Sequence, residues 1–160
     1  MMKFDERGHL VPYEITELKL SDFESFFVTG LEDTAHRRAL FQKYLSFVVG
    51  LKKTFDATFY QWVVGSFVTQ KPLPGDVDVV TFLPYDLMIQ KIKVVNFLKT
   101  TAKENYRIDA HFAYFCKWNH RFFERSKADE NELRLLFGYS RKDEQDKVWP
   151  KGIIKINFLP

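Results

Sequence analysis

Three segments rich in β-branched and aromatic residues constrain the fold of this chain most strongly. They are "TFYQWVVG" (58–65), "DVDVVTFL" (76–83) and "YRIDAHFAYF" (106–115), and each has the composition of a β-strand. Between the second and the third, Pro84 opens a stretch with apolar residues at helical spacing, which predicts a helix over about residues 85–102. The pattern therefore predicts strands that pack against at least one helix.

The segments on either side predict further helices and one more strand. Ser21 and Glu24 have capping-box spacing and predict a short helix over about 22–28. The stretch 33–55 has apolar residues at helical spacing, and Asp33 is a suitable N-cap for one long helix. The C-terminal third predicts one or two short helices, a polar loop and a closing strand in "GIIKINFL".

This order of elements predicts an α+β fold with a mixed β-sheet flanked by helices. With 160 residues, 46% of them hydrophobic, the chain has the size of one domain spanning 1–160. We place its core at about 33–115 and its C-terminal helices and closing strand at 116–160. The single cysteine, Cys116, excludes an intramolecular disulfide and a paired-cysteine zinc site. No signal peptide and no membrane-spanning stretch is recognisable, so we expect a cytoplasmic protein without membrane contact.

Two segments concentrate positive charge although the net charge is only +3. Residues 34–54 contain five Lys or Arg and no acidic residue, and residues 90–107 contain five against Glu104 alone. Such segments attract polyphosphate or nucleic acid. The alternative interpretation is a pair of solvated helix faces without a partner.

The pair Asp76 and Asp78 is the most unusual feature of the sequence, because it stands at the head of a very apolar strand. In a strand, residues i and i+2 point to the same side, so both carboxylates project from one face. Two like charges at this distance raise each other's pKa unless a cation lies between them. A hard divalent cation such as Mg²⁺ or Mn²⁺ would stabilise the pair.

Asp109 interrupts the next apolar strand in the same way, and His111 shares its face. If that strand lies beside Asp76 and Asp78, three carboxylates meet at one point. Three carboxylates around two divalent ions are suited to in-line phosphoryl transfer. The alternative is that Asp76 caps a strand, Asp78 is exposed and Asp109 forms an ion pair.

The Gly65-Ser66 pair at the end of the preceding strand provides a candidate phosphate site. Glycine permits close backbone approach, and the serine hydroxyl with nearby N–H groups can hold phosphate oxygens. Thr69 and Lys71 follow in the same connection, and Lys71 is a candidate point charge for a phosphate.

The arrangement of these features resembles the nucleotidyltransferase superfamily related to DNA polymerase beta. A strand is followed by Gly65-Ser66, by a short connection and then by Asp76-x-Asp78. Nine residues separate Ser66 from Asp76, and the resemblance covers about 59–115. The segments "FDERGHLVPYEI" and "WPKGIIKINF" also resemble small bacterial nucleotidyltransferase-like proteins. Prolines crowd the connection where many superfamily members open a helix, so that helix must be very short here.

The resemblance implies a nucleotidyltransferase-like fold and a reaction. A nucleoside monophosphate would pass from an NTP to an acceptor hydroxyl on a nucleic acid, nucleotide, small molecule or protein. The resemblance also permits a role in a toxin–antitoxin or phage-defence system. The catalytic residues, which would also hold two Mg²⁺ or Mn²⁺ ions, would be Asp76, Asp78 and Asp109. The nucleotide-binding residues would be Gly65, Ser66, Thr69 and Lys71.

Two further expectations concern partners. A chain this short has no obvious extra domain for acceptor recognition, which favours a homodimer or a partner protein. The alternative function is a catalytically inactive module of the same fold that binds RNA or a partner protein through its basic helices.

Overall fold

A five-stranded mixed β-sheet forms the centre of the computed structural model, which describes residues 1–160. An N-terminal hairpin of two short strands forms a separate two-stranded sheet. The strands in chain order are β1 (Lys3–Phe4), β2 (Leu10–Val11), β3 (Ile15–Glu17), β4 (Phe59–Val64), β5 (Val77–Pro84), β6 (Ile108–Phe115) and β7 (Ile153–Phe158). In the large sheet the order is β3-β7-β4-β5-β6; the β3–β7 and β5–β6 pairs are parallel and the other two are antiparallel.

Five α-helices surround this sheet. They are α1 (Leu20–Glu24), α2 (Thr34–Phe55), α3 (Tyr85–Gln90), α4 (Ile92–Tyr106) and α5 (Phe123–Phe137). A π-helical turn, Ser25–Thr29, continues α1, and a single 3₁₀ turn, Gly65–Val68, follows β4. None of the helices has both the length and the apolar character needed to cross a bilayer.

The larger hydrophobic core lies between one face of the sheet and helices α1, α2 and α4. Alternate strand residues such as Val63, Val77 and Val79 point into it and are fully buried. A buried polar chain crosses the same face: the Tyr44 hydroxyl donates to Gln61 Oε1 at 2.8 Å, and Gln61 Nε2 donates to the Thr81 hydroxyl at 2.9 Å. These partners satisfy polar groups that would otherwise destabilise the core.

A smaller apolar cluster covers the opposite face of the sheet. Its buried members are Trp62, Val64, Val80, Phe82 and Ile153. Helix α5 packs on this cluster through two partly buried residues, Leu133 and Phe137. The face therefore has an apolar centre and only one covering helix, which leaves the start of β5 and β6 accessible.

The predicted α+β class and mixed sheet are confirmed, as are the three strands on which the prediction rested. The long helix also forms, directly after Asp33. The predicted closing strand forms too, and β7 lies inside the sheet between β3 and β4.

Two helix predictions are wrong in detail. The helix expected over 85–102 is broken at Lys91, which has φ −106° and ψ 24°, and Ile89 and Ile92 beside the break are exposed. The capping box at Ser21 is absent, because α1 already begins at Leu20 and no side chain caps it.

Candidate functional site

The strand register places two of the three predicted aspartates side by side. Strands β5 and β6 are parallel, and Asp78 is paired with Asp109. Paired residues of neighbouring strands point to the same face, so the two carboxylates are direct neighbours. Asp76 stands just before β5, two residues from Asp78. Its negative charge repels the Asp78 carboxylate and raises the pKa of Asp78. The three carboxylates therefore form one cluster, called here the aspartate cluster.

The Gly65-Ser66 bend lies directly against this cluster. Val64, the last residue of β4, is paired with Asp78. Gly65 follows with φ +72°, and a Cβ added there would stand 2.0 Å from Asp78 Oδ2. Any side chain would collide with the carboxylate and would also need a left-handed backbone. The glycine is thus required for Asp78 to occupy its present place.

The buried guanidinium of Arg37 holds the connection that follows this bend. Arg37 Nη1 donates to Phe67 O at 2.7 Å, and Nη2 donates to Thr69 O and Lys71 O, both at 2.9 Å. Arg37 is fully buried, although the sequence suggested a member of a basic surface segment. Its charge is balanced by Asp33, whose Oδ1 lies 2.7 Å from Nε.

Asp33 precedes α2 as predicted but does not cap its N–H groups. Its second oxygen instead accepts the Leu73 N–H at 2.8 Å. The neighbouring His36 Nε2 lies 2.6 Å from Pro74 O. The N-terminal turn of α2 therefore fixes the connection between the bend and the aspartate cluster.

The predicted nucleotide-binding residues have different surroundings. The Thr69 hydroxyl donates to Ser66 O at 2.8 Å and accepts the Lys71 N–H at 3.1 Å, so it is used within the loop. Ser66 is partly exposed and contributes only its carbonyl to these bonds. Lys71 is exposed. Ser66 and Lys71 are therefore available to a ligand, and the Thr69 side chain shapes the bend.

Burial and like charge act together on Asp78. Burial of the side chain, followed by repulsion from Asp76 and from Asp109, raises the pKa of Asp78 to about 6. The protonated form hydrogen-bonds Asp109, which adds to the effect, and the charge of Lys151 opposes it. Desolvation and carboxylate repulsion are the usual causes of a raised acid pKa at functional sites.

Two lysines that sequence reasoning did not assign to the site supply its positive charge. Lys103 Nζ lies 3.1 Å from Asp76 Oδ2, and its pKa is raised by this contact and by the other two aspartates. Lys151 is half-buried; burial lowers its pKa, and the attraction of Asp78 opposes that change. The sequence showed Lys103 only as one member of the basic segment 90–107. It gave no indication that Lys151 lies near the aspartates, because Lys151 is distant from them in sequence.

His111 lies on the same face as Asp109, as the alternation predicted. Its Nε2 is 3.8 Å from Asp109 Oδ1, and its ring packs edge-on against Phe137 with centroids 5.2 Å apart. The histidine thus contacts both the edge of the aspartate cluster and the apolar cluster beside it.

The donor set of the cluster suits a hard divalent cation, since it consists of carboxylate oxygens. As arranged, however, no three His, Cys, Asp or Glu side chains converge as ready metal ligands. Lys103 contacts Asp76 where a cation would be needed, and its side chain is 68% exposed. A metal ion would therefore have to displace the Lys103 ammonium, which could move away from Asp76 into solvent.

The comparisons with known proteins identify a family. The chain belongs to a family of unknown function, DUF6932, whose sequence profile matches residues 2–157. No curated protein and no solved structure gives a significant match. The family match thus covers the sheet, the aspartate cluster and both lysines.

Proposed function

We propose that this chain is a nucleotidyltransferase with a nucleotidyltransferase-like fold, and that it transfers a nucleoside monophosphate from an NTP to an acceptor hydroxyl. The observation that carries the proposal is the pairing of Asp78 with Asp109 directly against the Gly65 bend. The pKa of Asp78 is raised in the folded protein, so the charged form of this side chain destabilises the folded state. Arrangements of this kind are concentrated at functional sites.

Asp76, Asp78 and Asp109 would hold divalent ions, Mg²⁺ or Mn²⁺. Such ions stabilise charge on phosphate oxygens and lower the pKa of an attacking hydroxyl. The acceptor oxygen forms a bond to the α-phosphorus, the bond between the α- and β-phosphates breaks, and pyrophosphate leaves. Asp109, whose side chain is 41% exposed against 24% for Asp76, would accept the acceptor's proton.

The remaining groups at the site favour a triphosphate. The Ser66 hydroxyl and the N–H groups of the 3₁₀ turn can bind phosphate oxygens. Lys151 lies close enough to attract Asp78, and Lys71 is exposed on the connection from the bend. These cations would neutralise the charge of the triphosphate and of the leaving pyrophosphate.

The direct test is transfer of label from α-labelled NTPs. Wild-type protein is incubated with each NTP and Mg²⁺ or Mn²⁺, with and without total RNA. We expect labelled product and pyrophosphate with the wild type and with the exposed control Glu32→Gln, and neither with Asp76→Ala or Asp109→Asn. Equal transfer by the wild type and both aspartate variants would reject the assignment.

A second candidate is a binding module without catalysis, because Lys103 already supplies a counter-charge to Asp76 and no ready metal-ligand group is present. This module would bind RNA or a partner protein through basic helix surfaces such as Lys93 and Lys99, which are exposed on α4. RNA binding that persists in Asp76→Ala and is lost in Lys93→Glu/Lys99→Glu, without label transfer in any protein, would favour it.

A further inference from the structure

A cavity of about 480 Å³ lies at the open edge of the sheet, away from the aspartate cluster. Its walls come from the edge strand β6, from α3 and from α5. Phe82 on β5 lines it and lies four residues beyond Asp78, or about 13 Å along the strand. The volume is typical of small-ligand sites, and the distance makes it a separate site.

The interior of the cavity is mainly apolar. Phe82, Met88, Phe112 and Leu133 line it, and Leu136 stands at its mouth with 66% of its surface exposed. An apolar body entering this space would remove exposed hydrophobic surface from water on both partners.

The rim of the cavity is acidic. Helix α5 contributes Asp129, Glu130 and Glu132, and the lining contains no Lys, Arg or His. Asp129 is held in place by the Tyr114 hydroxyl, which donates to its Oδ2 at 2.7 Å. Glu130 forms an ion pair with Lys127 at 3.1 Å, and that lysine side chain is 54% exposed. Glu132 is exposed.

An apolar interior lined by three carboxylates and by no cationic side chain defines the chemistry of its ligand. We propose that this cavity binds an organic cation, namely a primary amine or guanidinium carried on an apolar body. The body fills the space among the aromatic and aliphatic side chains, and the cationic group contacts the carboxylates of α5. Carboxylates and phosphates are excluded because three like charges repel them. The proposal is independent of nucleotidyl transfer.

Three probes with one apolar body and different head groups test the charge requirement: 4-phenylbutylamine, 4-phenylbutanol and 4-phenylbutyrate. Binding to the wild-type protein is measured by calorimetry without NTP or divalent metal. We expect the amine to bind about tenfold more tightly than the alcohol, because its hydrogen bonds to carboxylates are charge-assisted. Its affinity falls with added salt, the alcohol's does not, and the butyrate binds most weakly.

Two neighbouring leucines provide a matched pair of variants. Leu135 and Leu136 are both 66% exposed, but only Leu136 lines this cavity. Leu136→Lys places a cation at the mouth and should abolish amine binding, whereas Leu135→Lys should preserve it. Glu132→Gln should lower amine affinity toward that of the alcohol, with Glu124→Gln, exposed in the first turn of α5, as the control.

The proposal is overturned by equal affinities of amine and alcohol, or by equal losses in the two leucine variants. A peptide of Phe and Lys that binds where the amine fails would also overturn it, because the cavity would then accept a polypeptide. The comparison of amine with alcohol and the peptide result do not depend on the folding of a variant, since both use the wild-type protein.

Discussion

Replacing Asp78 with Asn should stabilise the metal-free protein in a pH-dependent way. The folded-state pKa of Asp78 is about 6, against a usual value of 3.8, because of burial and repulsion from Asp76 and Asp109. The difference corresponds to at most about 3 kcal/mol of destabilisation by the charged form. Partial solvent exposure reduces this to about 2 kcal/mol.

The sign follows from proton linkage. Because the folded pKa is the higher one, the folded state binds more protons than the unfolded state between about pH 4 and pH 6, so stability falls as pH rises through this window. Asn resembles the protonated acid and removes the effect. We therefore expect Asp78→Asn to match the wild type at pH 4 and to exceed it by about 2 kcal/mol at pH 8. For a protein of this size that is about 4–8 °C in melting temperature.

The assay is thermal unfolding of both proteins in EDTA across pH 4–8, with Glu32→Gln as a charge-matched control at an exposed position. The control should change the melting temperature little at any pH. A lower melting temperature of Asp78→Asn at pH 8, or a difference that does not depend on pH, would refute the reasoning.

Three further predictions concern the same region. Gly65→Ala should destabilise by about 1–3 kcal/mol in urea unfolding, because its Cβ would meet Asp78 Oδ2 at 2.0 Å with φ at +72°; unchanged stability would contradict the collision. Arg37→Met should cost about 3–5 kcal/mol, since it removes the cation that pairs with Asp33 Oδ1 and the donor to several carbonyls of the connection; a loss below about 1 kcal/mol would contradict the structural role of Arg37. Lys103→Met should tighten Mn²⁺ binding several-fold, measured by paramagnetic resonance, because no ammonium then competes at Asp76; equal or weaker binding would argue against a metal at this position.

Mg²⁺ should raise the melting temperature of the wild type, because a ligand that binds the folded state stabilises it. It should not raise that of Asp78→Asn, because this variant lacks one of the proposed metal ligands. The absence of any effect of Mg²⁺ or Mn²⁺ up to about 10 mM in the wild type would count against metal binding and in favour of the module without catalysis.

The strands that carry the aspartates could be predicted because their pattern is local. Each of these strands has a pattern that can be recognised within a few residues: valines flank Asp78, and apolar residues surround Asp109. Such patterns indicate strands regardless of the rest of the chain. The same alternation assigned Asp76 and Asp78 to one side, and the register of β5 and β6 brings Asp109 to that side.

The helices after Pro84 show where local patterns fail. A continuous apolar period predicted one helix, but the break at Lys91 divides it, and Lys91 Nζ donates to Thr54 O at 2.5 Å near the end of α2. That contact joins residues far apart in sequence, so the helical period alone gave no sign of it.

The sequence by itself determined the class of fold, the positions of β4, β5, β6 and β7 along the chain, and the common side of Asp109 and His111, because these depend on periodicities of two and 3.6 residues. Only the tertiary structure decided that β7 lies inside the sheet, that Arg37 is buried beneath the connection after Gly65, and that Lys103 and Lys151 supply the positive charge of the aspartate cluster. Each of these depends on a contact between distant residues, and sequence spacing does not encode which distant side chains meet when the sheet is assembled.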